Sequence, residues 1–298
     1  MKIIESIEEM REYSRQVKCQ GKTIAAIETE GYLHDGHMSL VKVAQDIETI
    51  TVVSAASIAP LNFSMEWPEN YKEKLIEQES FYIKTSLMKD LELCKAHDVD
   101  VFFHPSMLDY YQSPIQTIRI SDDLSRQLLD NSETFFLGIY MNYSFDLTIK
   151  NWNVICPDIT IFGQKDIHQS ILIKKTANVL LFPIKVIIAP TLRDSDGLAC
   201  SSRNKFLSDS ERQDAISVYQ TLHEISRWST YPPVTEIKEH ITNRISQVNG
   251  SINYIDICCS ETLKELASID REAIIIISTI FSKLELTDNI IIKPQGTK

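Results

Sequence analysis

The chain contains no run of about 18 consecutive apolar residues, the length a membrane-spanning helix requires, so a membrane protein of the helical kind is not indicated. It also lacks an excess of basic charge. Lysine and arginine number 30 against 41 aspartates and glutamates, a formal net charge of -11. That balance argues against nonspecific nucleic-acid binding, which needs clustered cations to neutralise phosphates. A small anionic ligand is still admissible, because a few placed donors suffice for it. The six cysteines, Cys19, Cys94, Cys156, Cys200, Cys258 and Cys259, are scattered and none forms a CxxC pair. Neither a zinc site nor a disulfide framework is expected, and reduced thiols in a cytoplasmic protein are. Met1-Lys2-Ile3-Ile4-Glu5 lacks the charged-then-apolar layout of a signal peptide. No internal repeat or low-complexity segment is visible. What is present is a 298-residue globular composition, 43% hydrophobic and 24% charged, enough for one large domain or two ordinary ones.

Ser6-Ile7-Glu8-Glu9 has the spacing of a capping box, followed by Ile7, Met10, Tyr13 and Val17 at helical intervals. This predicts a first helix that ends at Gly21. Continuous apolar runs at Thr23–Ile27, Ile50–Ala56, Val99–Phe103, Ile159–Phe162 and Ile184–Ile188 read as buried strands. Helices are expected over Met38–Ala44 and roughly Lys84–Ala96. Strands without alternation, interleaved with helices, predict an α/β domain with a parallel sheet covered on both faces. Ligands in such sheets sit beyond the carboxyl ends of the strands. Near Pro190 the pattern changes. Ser208-Asp209-Ser210-Glu211 is a second capping box, Thr235 is placed to cap another helix, and the chain closes with strand-like runs at Asn253–Cys258, Ala273–Ser278 and Asn289–Ile292. Two domains are expected, residues 1–189 and a small α+β domain over 190–298.

Three constellations follow strand ends or the boundary. His34-Asp35-Gly36-His37 puts two imidazoles at a helix N-terminus, where backbone N–H groups and the helix dipole favour an anion. Gly36 allows close backbone approach to a phosphate. A metal site is a weaker alternative, since no third ligand lies nearby. Gly163-Gln164-Lys165-Asp166 directly follows an apolar strand and offers a point charge to a phosphate, although a surface turn has the same appearance. Ser201-Ser202-Arg203 joins two hydroxyls to a guanidinium as an anion clamp, or belongs to a polar interdomain linker. Taken together they read as a nucleoside triphosphate site.

These residues also carry a family resemblance. Thr29-x-Gly31-x-Leu33-His34-x-Gly36-His37-x-Ser39-Leu40-Val41, Pro157-Asp158 with Phe162-Gly163-Gln164-Lys165-Asp166, and Asp196-Gly197-Leu198-Ala199-x-Ser201-Ser202-Arg203-Asn204 resemble, in order, the three signatures of the pantothenate synthetase (pantoate–β-alanine ligase) family. Tyr254, Glu261-Thr262-Leu263 and Asp288-Asn289 fit its tail. The resemblance implies a Rossmann-like nucleotidyltransferase domain of the HIGH type with a small C-terminal domain, and a homodimer. It implies ATP with Mg2+, an acyl-adenylate intermediate, and transfer of a small carboxylic acid to a small amine with release of pyrophosphate and AMP. By position, His34, His37, Lys165 and Arg203 would be catalytic. Gly36, Gly163, Asp166, Ser201 and Ser202 would shape or hold ATP, and no protein group is assigned to the metal.

The acid half of the pattern departs from the family. Glu28-Thr29-Glu30-Gly31 stands where the family has Pro-Thr-Met-Gly, Ala59-Pro60-Leu61-Asn62-Phe63 where it has Asn-Pro-x-Gln-Phe, and His168-Gln169 where it has paired glutamines. The family's Arg-Pro-Gly-His-Phe loop is replaced by Ser132–Phe136, and the segment Ser64–Phe81 is longer. With Glu30, Asn62, His168 and Gln169 as the acid pocket, these changes predict a ligase with an altered acid, one bearing an amino group for Glu30 to pair. The alternatives are a pantothenate synthetase proper and a nucleotidyltransferase that does not ligate.

Overall fold

Alternating short strands and helices build a six-stranded parallel sheet with the order β1-β4-β3-β2-β5-β6. The computed structural model describes residues 1–56, 71–111 and 135–294. By internal contacts the chain divides into two units. The first spans residues 1–121, 134–163 and 173–189, and the second spans 122–133, 164–172 and 190–298.

In the first unit the strands are β1 (Lys2–Ile4), β2 (Ile24–Thr29), β3 (Ile50–Ala55), β4 (Val101–Phe103), β5 (Ile159–Gly163) and β6 (Lys185–Ala189). One face carries helices α1 (Ile7–Cys19) and α6 (Phe135–Ile155) over a core of Ile24, Ala26, Val52, Val154 and Ile155. The other carries α2 (Asp35–Asp46) and α4 (Met88–Ala96) over Ala25, Ile27, Val41, Val53 and Phe102. Strands covered on both sides have no polar face to show, which is why they appear as unbroken apolar runs. The order reverses at β2, which pairs with β3 on one side and with β5 on the other. Pairing between β2 and β5 is confined to Ala25–Ile159 and Ala26–Thr160, and no pair follows toward the carboxyl ends of the two strands. This is the topological switch point at which open α/β sheets bind ligands.

Several expectations need correction. The α2 helix starts at Asp35 rather than Met38 because His34 is its N-cap. At Ser6 the hydroxyl accepts from the Glu9 N–H, without the reciprocal half of the box. The expected helix over Lys84–Ala96 extends upstream into α3 (Tyr71–Tyr82), joined to α4 by a π-helical turn, Ile83–Leu87. Most of the supposed longer loop before Phe81 is therefore helix where it is described. The Ser64–Asn70 part, Asn62 with its neighbours Ala59–Phe63, and Ser132–Thr134 lie outside the described residues.

In the second unit, α8 (Asp209–Ser226) and α9 (Val234–Ile245) pack on an antiparallel meander of β7 (Gly250–Cys259), β8 (Ala273–Phe281) and β9 (Leu284–Ile292). Ile216, Leu222, Ile225, Ile237, Ile241, Ile275 and Ile277 form its core. Ser208 closes a full capping box with Glu211, whereas Pro233, not Thr235, precedes the first turn of α9 and provides no side-chain cap. The helix α7 (Ile167–Val179) follows a 3-10 turn over Gln164–Asp166; its residues 167–172 belong to this unit and 173–179 to the first.

Candidate active site

The loop after β2 is built by polar residues that hold the backbone in place. Thr29 Oγ1 donates to the Ser54 carbonyl of β3 (2.9 Å) and accepts from the Gly31 N–H (3.1 Å). Gly31 has φ +80°, and a Cβ there would lie 2.4 Å from the Tyr82 ring. Tyr82 donates to Asp90 (2.7 Å), which also accepts from Ser86 and from the Leu33 N–H (3.0 Å). The π-helical turn between Tyr82 and Asp90 brings both onto this loop, a use to which such turns are often put. Burial raises the Asp90 carboxyl above the usual range, while its hydrogen bonds pull the other way. Gly31→Ala meets both a left-handed backbone and the Tyr82 ring, so a loss of about 2 kcal/mol or more is expected in urea unfolding.

His34 and His37 then cap α2 by themselves. His34 Nδ1 accepts from the Gly36 N–H (3.1 Å), and His37 Nδ1 accepts from the His34 N–H (3.3 Å). Their rings stand 4.1 Å apart, tilted by 41°. An Nδ1 that accepts carries no proton, so in each neutral ring the proton is assigned to Nε2. The capping box thus uses neither Nε2, and both rings stand at the positive end of a helix, where an anion is favoured. Glu30, half-buried, precedes them in the same loop.

In the second unit, Lys165, Ser201, Arg203, Asn204, Thr287 and Asp288 line one shallow pocket. Asn289 fixes its lysine-bearing turn, donating to the carbonyls of Gln164 (2.8 Å) and Lys165 (3.0 Å) while accepting from the Gln164 side chain (3.0 Å). Asp288 binds Arg193 through two bonds of 2.6 and 2.9 Å, and the guanidinium lies 4.1 Å above the Tyr219 ring. Arg212 donates to Asp194 (2.6 Å) and Asp196 (2.7 Å). At Asp194 burial alone would raise the carboxyl, and the bonds from Arg212, Cys200 and Asn204 with the Arg212 charge together more than reverse it. The turn at Gly197, φ +97°, brings its Cα against Tyr219. The whole loop from Arg193 to Ala199 is clamped, and it delivers Ser201 as the N-cap of a 3-10 turn, Ser202–Phe206. Ser201 Oγ accepts from the Arg203 N–H, and the Arg203 guanidinium is largely exposed, meeting the Glu285 carbonyl at 3.5 Å. Lys165 lies 3.5 Å from Asp166, itself exposed.

The structure therefore joins His34 to His37 around Gly36 and, in the second unit, Lys165 to Ser201 and Arg203, with Ser202 next in the same turn. Gly163 closes β5 two residues before Lys165. Of the acid-pocket residues, Asn62 is outside the described residues. His168 is buried beside Asp256 (3.4 Å) and the Tyr254 ring, and Gln169 follows it half-buried. Reading the sequence residue by residue passes over Asp90 and Arg212, and it gives Arg193 and Glu28 no role of their own. Asp90 leaves a trace there, a lone acid on the helix face that also carries Leu91 and Cys94. Among the described residues, no group of three or more His, Cys, Asp or Glu could hold a metal ion, and no helix is long and apolar enough to cross a membrane.

The chain is similar to known proteins along nearly its whole length. The profile of the family described as pantoate-beta-alanine ligase matches residues 2–291. The pantothenate synthetase of Thermotoga petrophila is 33% identical over 296 residues, covering 98% of this chain and all of its own. That of Sulfurihydrogenibium is 32% identical over 302 residues, covering 97% and 99%. In fold, the chain resembles the pantothenate synthetase of Thermus thermophilus with a TM-score of 0.78 at 23% identity, covering 97% and 99%. It also resembles a pantoate-beta-alanine ligase from Francisella tularensis, complexed with beta-gamma ATP and beta-alanine, with a TM-score of 0.70 at 23% identity, covering 100% and 99%. A parallel sheet of this order and a sequence match running almost end to end place the chain in the pantoate–β-alanine ligase family.

Proposed function

We propose that the protein joins pantoate to β-alanine. As a family member it is an ATP-dependent, AMP-forming amide ligase, and the open question is the acid. The observation that carries the pantoate reading is the sequence match to relatives named pantothenate synthetase, 33% identical across 98% of this chain. The altered acid expected from Glu30, Asn62 and His168 finds no support among those relatives.

In the reaction, a carboxylate oxygen of the acid attacks the α-phosphorus of ATP, the bond to the bridging oxygen breaks, and pyrophosphate leaves. The amine nitrogen then attacks the acyl carbon, AMP departs with the electron pair, and the amine gives up a proton to solvent. No covalent bond to the enzyme is needed, so no nucleophilic Cys or Ser is required. His34 and His37 present two Nε2–H groups to the oxygen on which charge grows, and their Nδ1 atoms, tied to the backbone, keep them from reorienting as it does. Lys165, Ser201, Ser202 and Arg203 hold the polyphosphate, and Asn289 keeps Lys165 in position. Gly36, Gly163 and Asp166 shape the nucleotide site. Mg2+, bound together with ATP, would supply charge neutralisation to the phosphates, and no residue of this chain is assigned to hold it.

The test is pyrophosphate release from ATP-Mg with pantoate, with and without β-alanine, beside a panel of other carboxylic and amino acids. Pantoate-dependent release, with AMP and amide formed only when β-alanine is present, is expected. Inert pantoate beside an active second acid would restore the altered-acid reading, and release without consumption of amine would make it a transferase.

A further inference from the structure

Glu28 points from β2 toward α6 at the position where β2 and β5 part. Its Oε1 accepts from Trp152 Nε1 (2.8 Å) and from Thr160 Oγ1 (3.2 Å). Its Oε2 is buried, and no group meets it in hydrogen-bonding geometry. Behind it, Asn151 donates to Ser54 Oγ (3.2 Å) and accepts from the Tyr110 hydroxyl (2.9 Å). These neighbours satisfy one another and leave Oε2 out. Desolvation by burial moves the Glu28 carboxyl up to about 7, the bonds from Thr160 and Trp152 and the nearby polar groups of Thr148 and Asn151 only partly opposing it. A buried acceptor left over in an otherwise satisfied network calls for a donor from outside the protein. Glu28 as a whole is only half-buried although its Oε2 is out of solvent, and it stands on β2, at the switch point where sheets of this order bind their ligands.

We propose that Glu28 is a specificity-determining residue of the acid subsite, its Oε2 accepting a hydrogen bond from a hydroxyl or ammonium group of the bound acid. The proposal rests on the reading above that a carboxylic acid is activated at the switch point. It moves the selective carboxylate from Glu30 to Glu28. Pantoate satisfies the requirement with its hydroxyls, whereas an acid of the same carbon skeleton without them does not.

Glu28→Gln is a sharp test because its orientation is forced. The indole N–H and the Thr160 hydroxyl claim the amide oxygen, so the NH2 takes the place of Oε2 and an acceptor becomes a donor. The experiment compares kcat/KM for pantoate and for 3,3-dimethylbutyrate, which lacks both hydroxyls, in wild type and variant, with the KM for ATP as control. Wild type is expected to favour pantoate, and Glu28→Gln to lower that preference about 10- to 100-fold through the KM for the acid, with the ATP value unchanged. An equal fall for both acids, or no change, overturns the proposal, as does a wild type indifferent to the hydroxyls, a result that needs no variant to fold. If pantoate gives no pyrophosphate at all, the pantoate reading fails by itself. The Glu28 comparison is then made on the acid that does react and its counterpart lacking the hydroxyl or amino group, with the same two outcomes.

Discussion

His34→Asn is expected to lower kcat by about 10²- to 10³-fold while leaving stability within about 0.5 kcal/mol of wild type. The two halves of that expectation come from the two nitrogens of one ring. Nδ1 is a helix cap, accepting from the Gly36 N–H at 3.1 Å. Asparagine places Oδ1 at the same remove from its backbone and is among the best residues at that position. Nε2 takes no part in the cap, and asparagine has nothing there. His34→Ala removes both and should add a stability loss of about 1 kcal/mol to the same kinetic defect. His37→Gln is the companion variant, since glutamine is the usual partner in the third helical position of a capping box. Steady-state kinetics and urea unfolding of the three proteins separate the roles. A full-activity His34→Asn enzyme would reduce the histidine pair to structural caps.

Glu28→Gln is expected to stabilise the protein by about 3 kcal/mol at pH 8 and by almost nothing at pH 4. Burial raises the folded-state pKa from 4.5 to about 7. Below 4.5 the carboxyl is protonated in both states and folding is unaffected by it. Between 4.5 and about 7 the unfolded chain releases its proton while the folded chain retains it, so wild-type stability falls as pH rises. Above about 7 the folded protein carries a poorly solvated carboxylate and the penalty is complete. Glutamine cannot ionise and escapes it. Unfolding monitored by tryptophan fluorescence at pH 4, 6 and 8 checks this. Parallel pH profiles for wild type and variant would show that the carboxyl is solvated after all. A residue whose replacement strengthens the fold while weakening selection of the acid is what a functional, incompletely satisfied side chain should look like.

The parts of this architecture that the sequence displays are those with a period or a punctuation mark. β2, β3 and β5 are apolar runs because helices cover both faces, and the box at Ser208–Glu211 announces α8. Elements without such marks stay hidden. β1 is three residues long. From Ser144 to Ile149 in α6 every residue is buried, so no polar face sets a helical rhythm. The His34–His37 motif is readable as a phosphate loop, but its start is misplaced because histidine is not a usual N-cap, and only the folded chain reveals that each imidazole caps the backbone of the same turn. Glu28 is visible in the sequence as an acid just past the expected strand Thr23–Ile27, and only the fold carries β2 on to Thr29 and includes it. Its significance needs Trp152 and Asn151, more than 120 positions away, to show that one of its oxygens is spoken for and the other is not.

Adjacent residues of a strand face opposite ways, and on β2 this separates two duties that lie one peptide apart. Thr29 anchors the loop that leads to the histidines, whereas Glu28 faces α6 and the acid. Inheritance can therefore act on them independently. A lineage, or a directed library at Glu28 and Asn151, can exchange the acid that is recognised without disturbing a single contact of the nucleotide loop, so new amide-forming activities are within reach by changes on one side of one strand.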